Sequence, residues 1–539
     1  MLLLGSFLLA GLATTIAAQQ QCAPAITLDK KPQIFVMSDI SNEPDDTMSF
    51  IRMLLHSDQR VAYNITGMAA VTSYWLNSST YPDQILNTTH AFGLVEENLN
   101  WHSAGQFPTS EYLSSIVYSG HPLYGTAALG RPSLSSGAQR LIDVLDGMGD
   151  DEILHCQAWG GVNVLAEVLF HVQKNRVQYE FDRFVKKIRV YTISDQDNTG
   201  PWIRMNFPQI PYIVSLHGFN QYGQAAWTGI SGERFYNYDQ GGPNSSLVDQ
   251  EYISTHFQIG PLGSHYPDIA YIMEGDSPSL MHTMMNGLNG GPYGQYLPWL
   301  SGSAKANYVV QINQVGVDGV ADTHCSTFNS TRQTMVYSDA RDSVKGMINK
   351  NQTYTSSQAT IWRWRQAYQD EMSARIQWSI LGNYSAGSHP PAVSVNGSCD
   401  SSPLVVKVSP EQVIMMDASH TYDPDANLTG KNDLQFNWFQ YREISATQSN
   451  TASEVPQLNF TLSSDGRIAK TTLPSAIDAC AAVEAEQNQG AGIQETCQQY
   501  HVILEVTGSG TPPIRRYKRV ILKVQPPSST IKNAPRDEL

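Results

Sequence analysis

Charge is scarce in this chain, and positive charge is scarcest. Asp, Glu, Lys and Arg make up 15% of the 539 residues, with 34 Lys and Arg against 49 Asp and Glu, a formal net charge of −15. That imbalance excludes a cationic face for a nucleic-acid polymer or an anionic bilayer. Cysteine is scarce too. The six residues Cys22, Cys156, Cys325, Cys399, Cys480 and Cys497 include no C-x-x-C pair, which excludes the usual zinc-ribbon spacing. The histidines show no ligand pattern. Beyond residue 18 no apolar run is long enough to span a membrane. The signature of a disordered chain is also missing, since 41% of residues are hydrophobic and 10% aromatic.

What is present at the start is an apolar stretch over residues 1–18, with Ala17 and Ala18 ahead of Gln19, Gln20 and Gln21. It reads as a signal peptide, although its first residues carry no Lys or Arg. Ten Asn-x-Ser/Thr sequons, at Asn64, Asn77, Asn87, Asn244, Asn329, Asn351, Asn383, Asn396, Asn427 and Asn459, predict a glycosylated surface. The expectation is a secreted protein. The alternative is retention in the endoplasmic reticulum lumen, because the chain ends in Arg536-Asp537-Glu538-Leu539 on a flexible tail over 527–539. Among the cysteines, Cys480 and Cys497 are the expected pair, and Cys156, inside an apolar run, reads as a buried free thiol.

The most informative stretch is 33–53. Apolar residues Ile34 to Met37 end in Ser38-Asp39, a short loop follows, and Asp45-Asp46 open a segment with apolar residues at helical spacing. Strand, loop and helix is the predicted order. Asp39, Glu43, Asp45 and Asp46 lie within eight positions. Four anions so close repel unless a cation sits among them, and hard oxygen ligands suit Ca²⁺ or Mg²⁺. The plainer reading is an acidic loop in which Asp45 or Asp46 caps the helix.

Further strands are predicted at 61–73, 152–159, 187–193, 212–215 and 269–273. Helices are predicted at 84–99 and 138–145, with a long closing helix at 360–381. Repeated strand-loop-helix units imply an α/β domain with a parallel sheet, here over residues 27–387. Asp39, Thr72, Trp159, Ser194, Asp195 and Glu274 all fall where predicted strands end, the edge at which such folds bind ligands. Ser388-His389-Pro390-Pro391 marks a linker. From 392 to 526 short alternating strands predict a second, all-β domain of immunoglobulin-like sandwich type, with Trp438 in its core.

The segments SDISNEPDD, WGGVN, SDQDNTGPWIR, WTGISG, EGDSPS and ATIWRWR resemble the nucleoside-hydrolase-like family. Its bacterial members are described as cellulose-binding and carry a C-terminal immunoglobulin-like domain. The 417–425 segment resembles the loop of polycystic-kidney-type modules. True nucleoside hydrolases open with D-x-D-P-G-x-D-D, which places Asp39 on the first Asp and Asp45-Asp46 on the last two. Ser41 then stands where the second Asp, the water-activating one, is expected. The resemblance implies Ca²⁺ held by Asp46, Asp276 and the Val162 carbonyl. It further implies a sugar contact at Asp45, and Asn163, Asp195, Trp202 and Glu274 are the other candidate substrate contacts, with a turn cap the alternative for Asp195 and a core position for Trp202. A hydroxyl cannot replace a carboxylate base at neutral pH, so Glu43 and Asp39 become the candidate bases, with Glu274 behind them. Two readings follow. One is a hydrolase that cleaves an N-glycosyl or saccharide bond. The other is a protein of this fold that has lost its base and binds carbohydrate. The ligand expected is a carbohydrate or a nucleoside.

Overall fold

In the computed structural model of the chain, the described residues are 32–58, 63–103, 106–215, 219–288, 336–337, 341–400, 402–426, 433–445, 452–480 and 497–526. The signal-peptide stretch, Cys22, Cys325, the sequons at Asn329 and Asn427 and the C-terminal tetrapeptide lie outside them. Among the described residues no helix is long and apolar enough to cross a membrane.

Seven parallel strands form the first sheet: β1 (Gln33–Ser38), β2 (Asn64–Ala70), β3 (Val117–Ser119), β4 (Leu154–Ala158), β5 (Ile188–Thr192), β6 (Tyr212–Val214) and β7 (Val336–Tyr337), in the order β3-β2-β1-β4-β5-β6-β7. Consecutive residues of a strand point to opposite faces. Ile34 and Val36 of β1 therefore enter one core, while Phe35 and Met37 enter the other. A strand buried on both faces needs an unbroken apolar run, and β1 has one. The order reverses at β1: the chain winds outward through β2 and β3, then returns to place β4 on the other side of β1. In folds of this kind ligands bind at such a reversal, in the crevice outside the C-terminal ends of the two strands, here β1 and β4.

Three predicted elements are corrected. Residues 269–273 form no strand but an isolated bridge between Ala270 and Ile272, because Tyr271 has a left-handed backbone with φ of 66°. The 84–99 helix is two, Pro82–Gly93 and Glu96–Ser103. The closing helix is also two, Ala359–Trp362 and Arg365–Ile380, separated at Arg363 and Trp364. Strand β3 is only three residues long, too short for its period to show in the sequence.

A hairpin, β8 (Asp342–Lys345) and β9 (Thr353–Ser356), precedes the closing helices. The C-terminal part holds β10 (Leu404–Val408), β11 (Val413–Asp417), β12 (Gln435–Gln440), β13 (Thr461–Leu462), β14 (Ile468–Thr472), β15 (Gln499–Thr507) and β16 (Arg515–Val524). They make two sheets, β10-β16-β15-β12 and β11-β14-β13, around one core that includes Trp438. Cys480 and Cys497 are bonded to each other, Cys399 is also disulfide-bonded, and Cys156 is a buried free thiol.

The β-rich part is fixed to the first by strand β16. Arg516 pairs with both oxygens of Glu371, at 2.8 and 2.9 Å, and Arg375 donates to the same carboxylate at 2.9 Å. Burial alone would raise the Glu371 pKa, but Arg516 and Arg375 more than offset it and hold this carboxyl well below its ordinary range. A depressed carboxylate contributes stability above its unfolded pKa and loses it as pH falls through the folded one. Glu371→Gln leaves two guanidinium groups without their shared anion. It should cost about 3–5 kcal/mol at neutral pH, as breaking a buried pair does. Equilibrium denaturation at pH 7 and pH 4 checks this: the deficit should shrink toward the acid end.

Candidate functional site

Where β1 ends, Ser38 donates to the Asp46 carboxylate and accepts from the Ile40 amide at 3.1 Å. This sets the direction of the loop, which passes through Ser41 in a left-handed conformation, φ 83°, before the helix Asp45–Leu55 begins. The helix has Pro44 at its cap position and no side-chain cap, so Asp45 and Asp46 are its first two residues and cap nothing. Their carboxylates face the positive end of the helix dipole.

Asp276 arrives from the far side of the sequence. It precedes the helix Ser277–Met281 without capping it. Oxygens of Asp45, Asp46 and Asp276 lie within 4.8 Å of one another, and all three residues are buried. Two backbones must come close for this to happen. A Cβ on Gly275 would lie 2.6 Å from Asp45 Oδ2, and one on Gly160 would lie 2.7 Å from Asp39 Oδ1. Glycine at these positions lets the loops after Glu274 and after β4 press onto the carboxylates.

The electrostatics are those of anions crowded away from water. Burial, with repulsion from Glu43 and Asp39, pushes Asp45 up to about 8. Burial also raises Asp39 to about 6, against the facing Ser73 hydroxyl, which acts to lower it. Burial drives Asp46 and Asp276 well above the usual carboxylate range, with repulsion from Asp39 and Asp45 adding at Asp46 and from Asp46 and Asp45 at Asp276, and burial raises Glu43. Each like-charged pair at this separation repels by about 3 kcal/mol at an effective dielectric of ~20. Asp39 Oδ2 and Asp276 Oδ2 are buried and have no hydrogen-bond partner. Unpartnered buried carboxylate oxygens, all hard donors, are the set that a calcium ion takes. The residues present therefore fit the ion that the sequence resemblance implies.

The other expected residues divide into two groups. Asn163 opens the helix Asn163–Asn175 and donates to the Thr72 carbonyl and hydroxyl, both at 3.0 Å, and to Asp197 at 3.2 Å; its own Oδ1 has no partner. Thr72 and Gly161 are joined by a 3.1 Å backbone bond, so the loops after β2 and β4 form one wall. Val162 stands at the cap of that helix, where its carbonyl accepts from Ala166 and keeps a second lone pair. Asp197 is buried, and burial pushes it up to about 6 against bonds from Thr199 and Asn163.

Three expected residues are engaged elsewhere. Both oxygens of Asp195 face Arg204, at 2.8 and 2.6 Å. Trp202 packs on Phe170 and Phe207 beside the core on the opposite face from Trp159 and Trp227. Glu274 is fully buried, and its two carboxylate oxygens accept from Arg52, Tyr266 and Ser277. In its place the structure brings in aromatic residues. Trp227 lies 3.3 Å from a Cβ on Gly275, with Tyr222 and Tyr236 edge-on to it. Tyr222 and Tyr236 belong to short helical turns without periodicity, so nothing in the sequence marks them.

Residues 33–299 match the family described as cellulose-binding Sde182, nucleoside hydrolase-like domain, and residues 413–524 match the C-terminal domain of cellulose-binding protein Sde0182. No curated protein matches. Among solved structures, a nucleoside hydrolase-related hypothetical protein from Saccharophagus degradans, described as associated with carbohydrate metabolism, aligns with a TM-score of 0.67 at 25% identity. The alignment covers 92% of this chain and 100% of that one. The effector protein XOO4466 aligns over 48% of this chain and 82% of its own at 12% identity, but its TM-score of 0.22 carries no argument. With both family domains present in order, and the whole of a solved relative overlaid, the chain belongs to the nucleoside-hydrolase-like family described as cellulose-binding.

Proposed function

We propose that this protein hydrolyses a glycosyl bond of a carbohydrate or nucleoside ligand at the acidic crevice, with calcium as its metal. The observation that carries the proposal is the convergence of Asp45, Asp46 and Asp276 within 4.8 Å at the crevice between β1 and β4, with Asp39 and Asp276 oxygens unpartnered. Asp46, Asp276 and the Val162 carbonyl would hold Ca²⁺, which supplies positive charge for vicinal sugar hydroxyls and for water. Asp45 accepts a hydrogen bond from a sugar hydroxyl, and Asn163 presents its free Oδ1 to the same ligand. Water adds to the anomeric carbon as the glycosyl bond breaks, and the leaving group departs with the bonding electrons. Glu43, half-buried in the same loop, takes the proton of that water, and Asp39 behind it is the second carboxylate within the loop able to do so. The clustered anions stabilise the positive charge that grows on the sugar ring.

One observation favours a second reading. Ser41 is exposed and holds a left-handed backbone at the position where the family's distant enzymes carry their base. Without Glu43 or Asp39 in that role, the same crevice binds a sugar and leaves it intact. Both readings suit a secreted glycoprotein. Of the eight sequons among the described residues, seven have an exposed Asn and Asn244 is half-buried, which supports glycosylation.

Calorimetric titration of chelator-stripped protein with calcium should give stoichiometric binding, and Asp46→Asn should abolish it. At a hundredfold excess over Kd, calcium should add about 2.7 kcal/mol to stability in the wild type only. A folded wild type that takes up no calcium ends the metal assignment. A screen of glycosides and nucleosides should then find turnover that falls by about 10²–10⁴ in Glu43→Gln or Asp39→Asn. Saccharide binding with no turnover in the wild type selects the binding reading.

A further inference from the structure

The loop leaving β2 presents two large aromatic side chains to solvent beside the carboxylates. Trp75 is 49% exposed and Tyr74 43%. Their rings meet edge to face, 5.1 Å apart at 88°. An exposed tryptophan contributes little to the core, yet this one sits on a closely tied backbone. The Ser73 hydroxyl oxygen accepts from the Trp75 and Leu76 amides, both at 3.1 Å, and the Tyr74 amide donates to the Gln196 carbonyl at 2.6 Å. The Trp75 indole is in hydrogen-bonding reach of the Tyr222 hydroxyl, which also receives a bond from Ser194. Ser73 itself faces Asp39. A planar apolar surface is thus held, by bonds on both sides of it, two residues along the chain from a side chain that faces the carboxylate cluster.

We infer that Trp75, supported by Tyr74, is a stacking platform for a sugar ring next to the one held at the carboxylates, so that the ligand is a neutral glycan chain of two or more units. This inference rests on the carbohydrate reading of the acidic crevice. The chemistry of the site selects the ligand class. A sugar ring has an apolar C–H face that lies flat on an indole and hydroxyls at its rim that stay hydrated. A nucleic-acid strand also stacks on aromatics, but its phosphates would meet Asp39, Glu43 and Asp45 in a protein of net charge −15. Two aromatic rings are too small an apolar surface for a protein partner, which needs a buried area of about 1,000 Å² or more. The edge-to-face contact with Tyr74 sets the orientation of the Trp75 ring.

The test is a calorimetric titration of the calcium-loaded full chain with a cello-oligosaccharide series from monosaccharide to hexasaccharide, in wild type, Trp75→Ala and Trp75→Phe. Wild-type affinity should rise with chain length. Trp75→Ala should lose about tenfold on the longer sugars, the size of an aromatic contact. Trp75→Phe should recover most of it, and unaltered calcium binding reports that each variant is folded. Affinity that rises with length equally in wild type and Trp75→Ala overturns the platform and leaves the crevice reading standing. A Trp75-dependent affinity for free nucleosides with none for the sugars overturns both the platform and the carbohydrate reading and makes Trp75 a base site. A wild type that binds calcium but no saccharide of any length overturns the carbohydrate reading itself.

Discussion

Arg52 and Glu274 form an ion pair with neither side chain exposed to solvent, 222 positions apart in sequence. Arg52 lies on the helix that begins with Asp45 and Asp46, and Glu274 lies two residues before Asp276. The pair therefore joins the two segments that bring the crowded carboxylates together. Further hydrogen bonds support it: the Tyr266 hydroxyl and Ser277 on the glutamate, the Tyr368 carbonyl and Gln369 on the arginine. A buried pair needs such support, since losing either partner strands a charge in a dry interior. The same pair accounts for the left-handed backbone at Glu274, φ 54°, which turns its side chain toward Arg52 before Gly275 passes Asp45. Glu274 positions the crevice and does not face it.

That arrangement explains which parts were legible in the sequence. The apolar run of β1, the loop carboxylates and the helix behind them are local, so period and composition were enough to place Asp39, Asp45 and Asp46 at a strand end. The WGGVN segment was legible for the same reason: two glycines between a strand and a helix mark close backbone approach, here against Asp39 and Thr72. An acid at a predicted strand end looks the same in the sequence whether it faces a ligand or an arginine; the structure pairs Glu274 with Arg52 and Asp195 with Arg204. A helix of only eight residues does not show which side it buries, and here Trp202 packs against Phe207. Trp75 was missed because an exposed tryptophan in a polar loop has no periodic neighbours.

Ser41 bears on mechanism through geometry as well as chemistry. A left-handed conformation at a residue with a Cβ costs of order 1–3 kcal/mol and persists only where its surroundings demand it. Here the demand comes from both ends, with Asp39 continuing β1 and Pro44 preceding the helix that Asp45 begins. The loop thus leaves Ser41 exposed while Asp39, Asp45, Asp46 and Asp276 are buried together.

The C-terminal sheets enter the same chain of contacts. The helix Arg365–Ile380 presents Tyr368 and Gln369 to Arg52, and its next two residues, Asp370 and Glu371, to Arg515 and Arg516 of β16. One helical turn thus carries the support of the crevice on one side and the anchor of the β-rich part on the other. Along that turn the contacts run from Arg515 and Arg516 to Asp370 and Glu371, and from the neighbouring Gln369 and the Tyr368 carbonyl to Arg52 and so to Glu274. Removing one partner of such a buried pair strands the other charge, so each of these ionic links is costly to break.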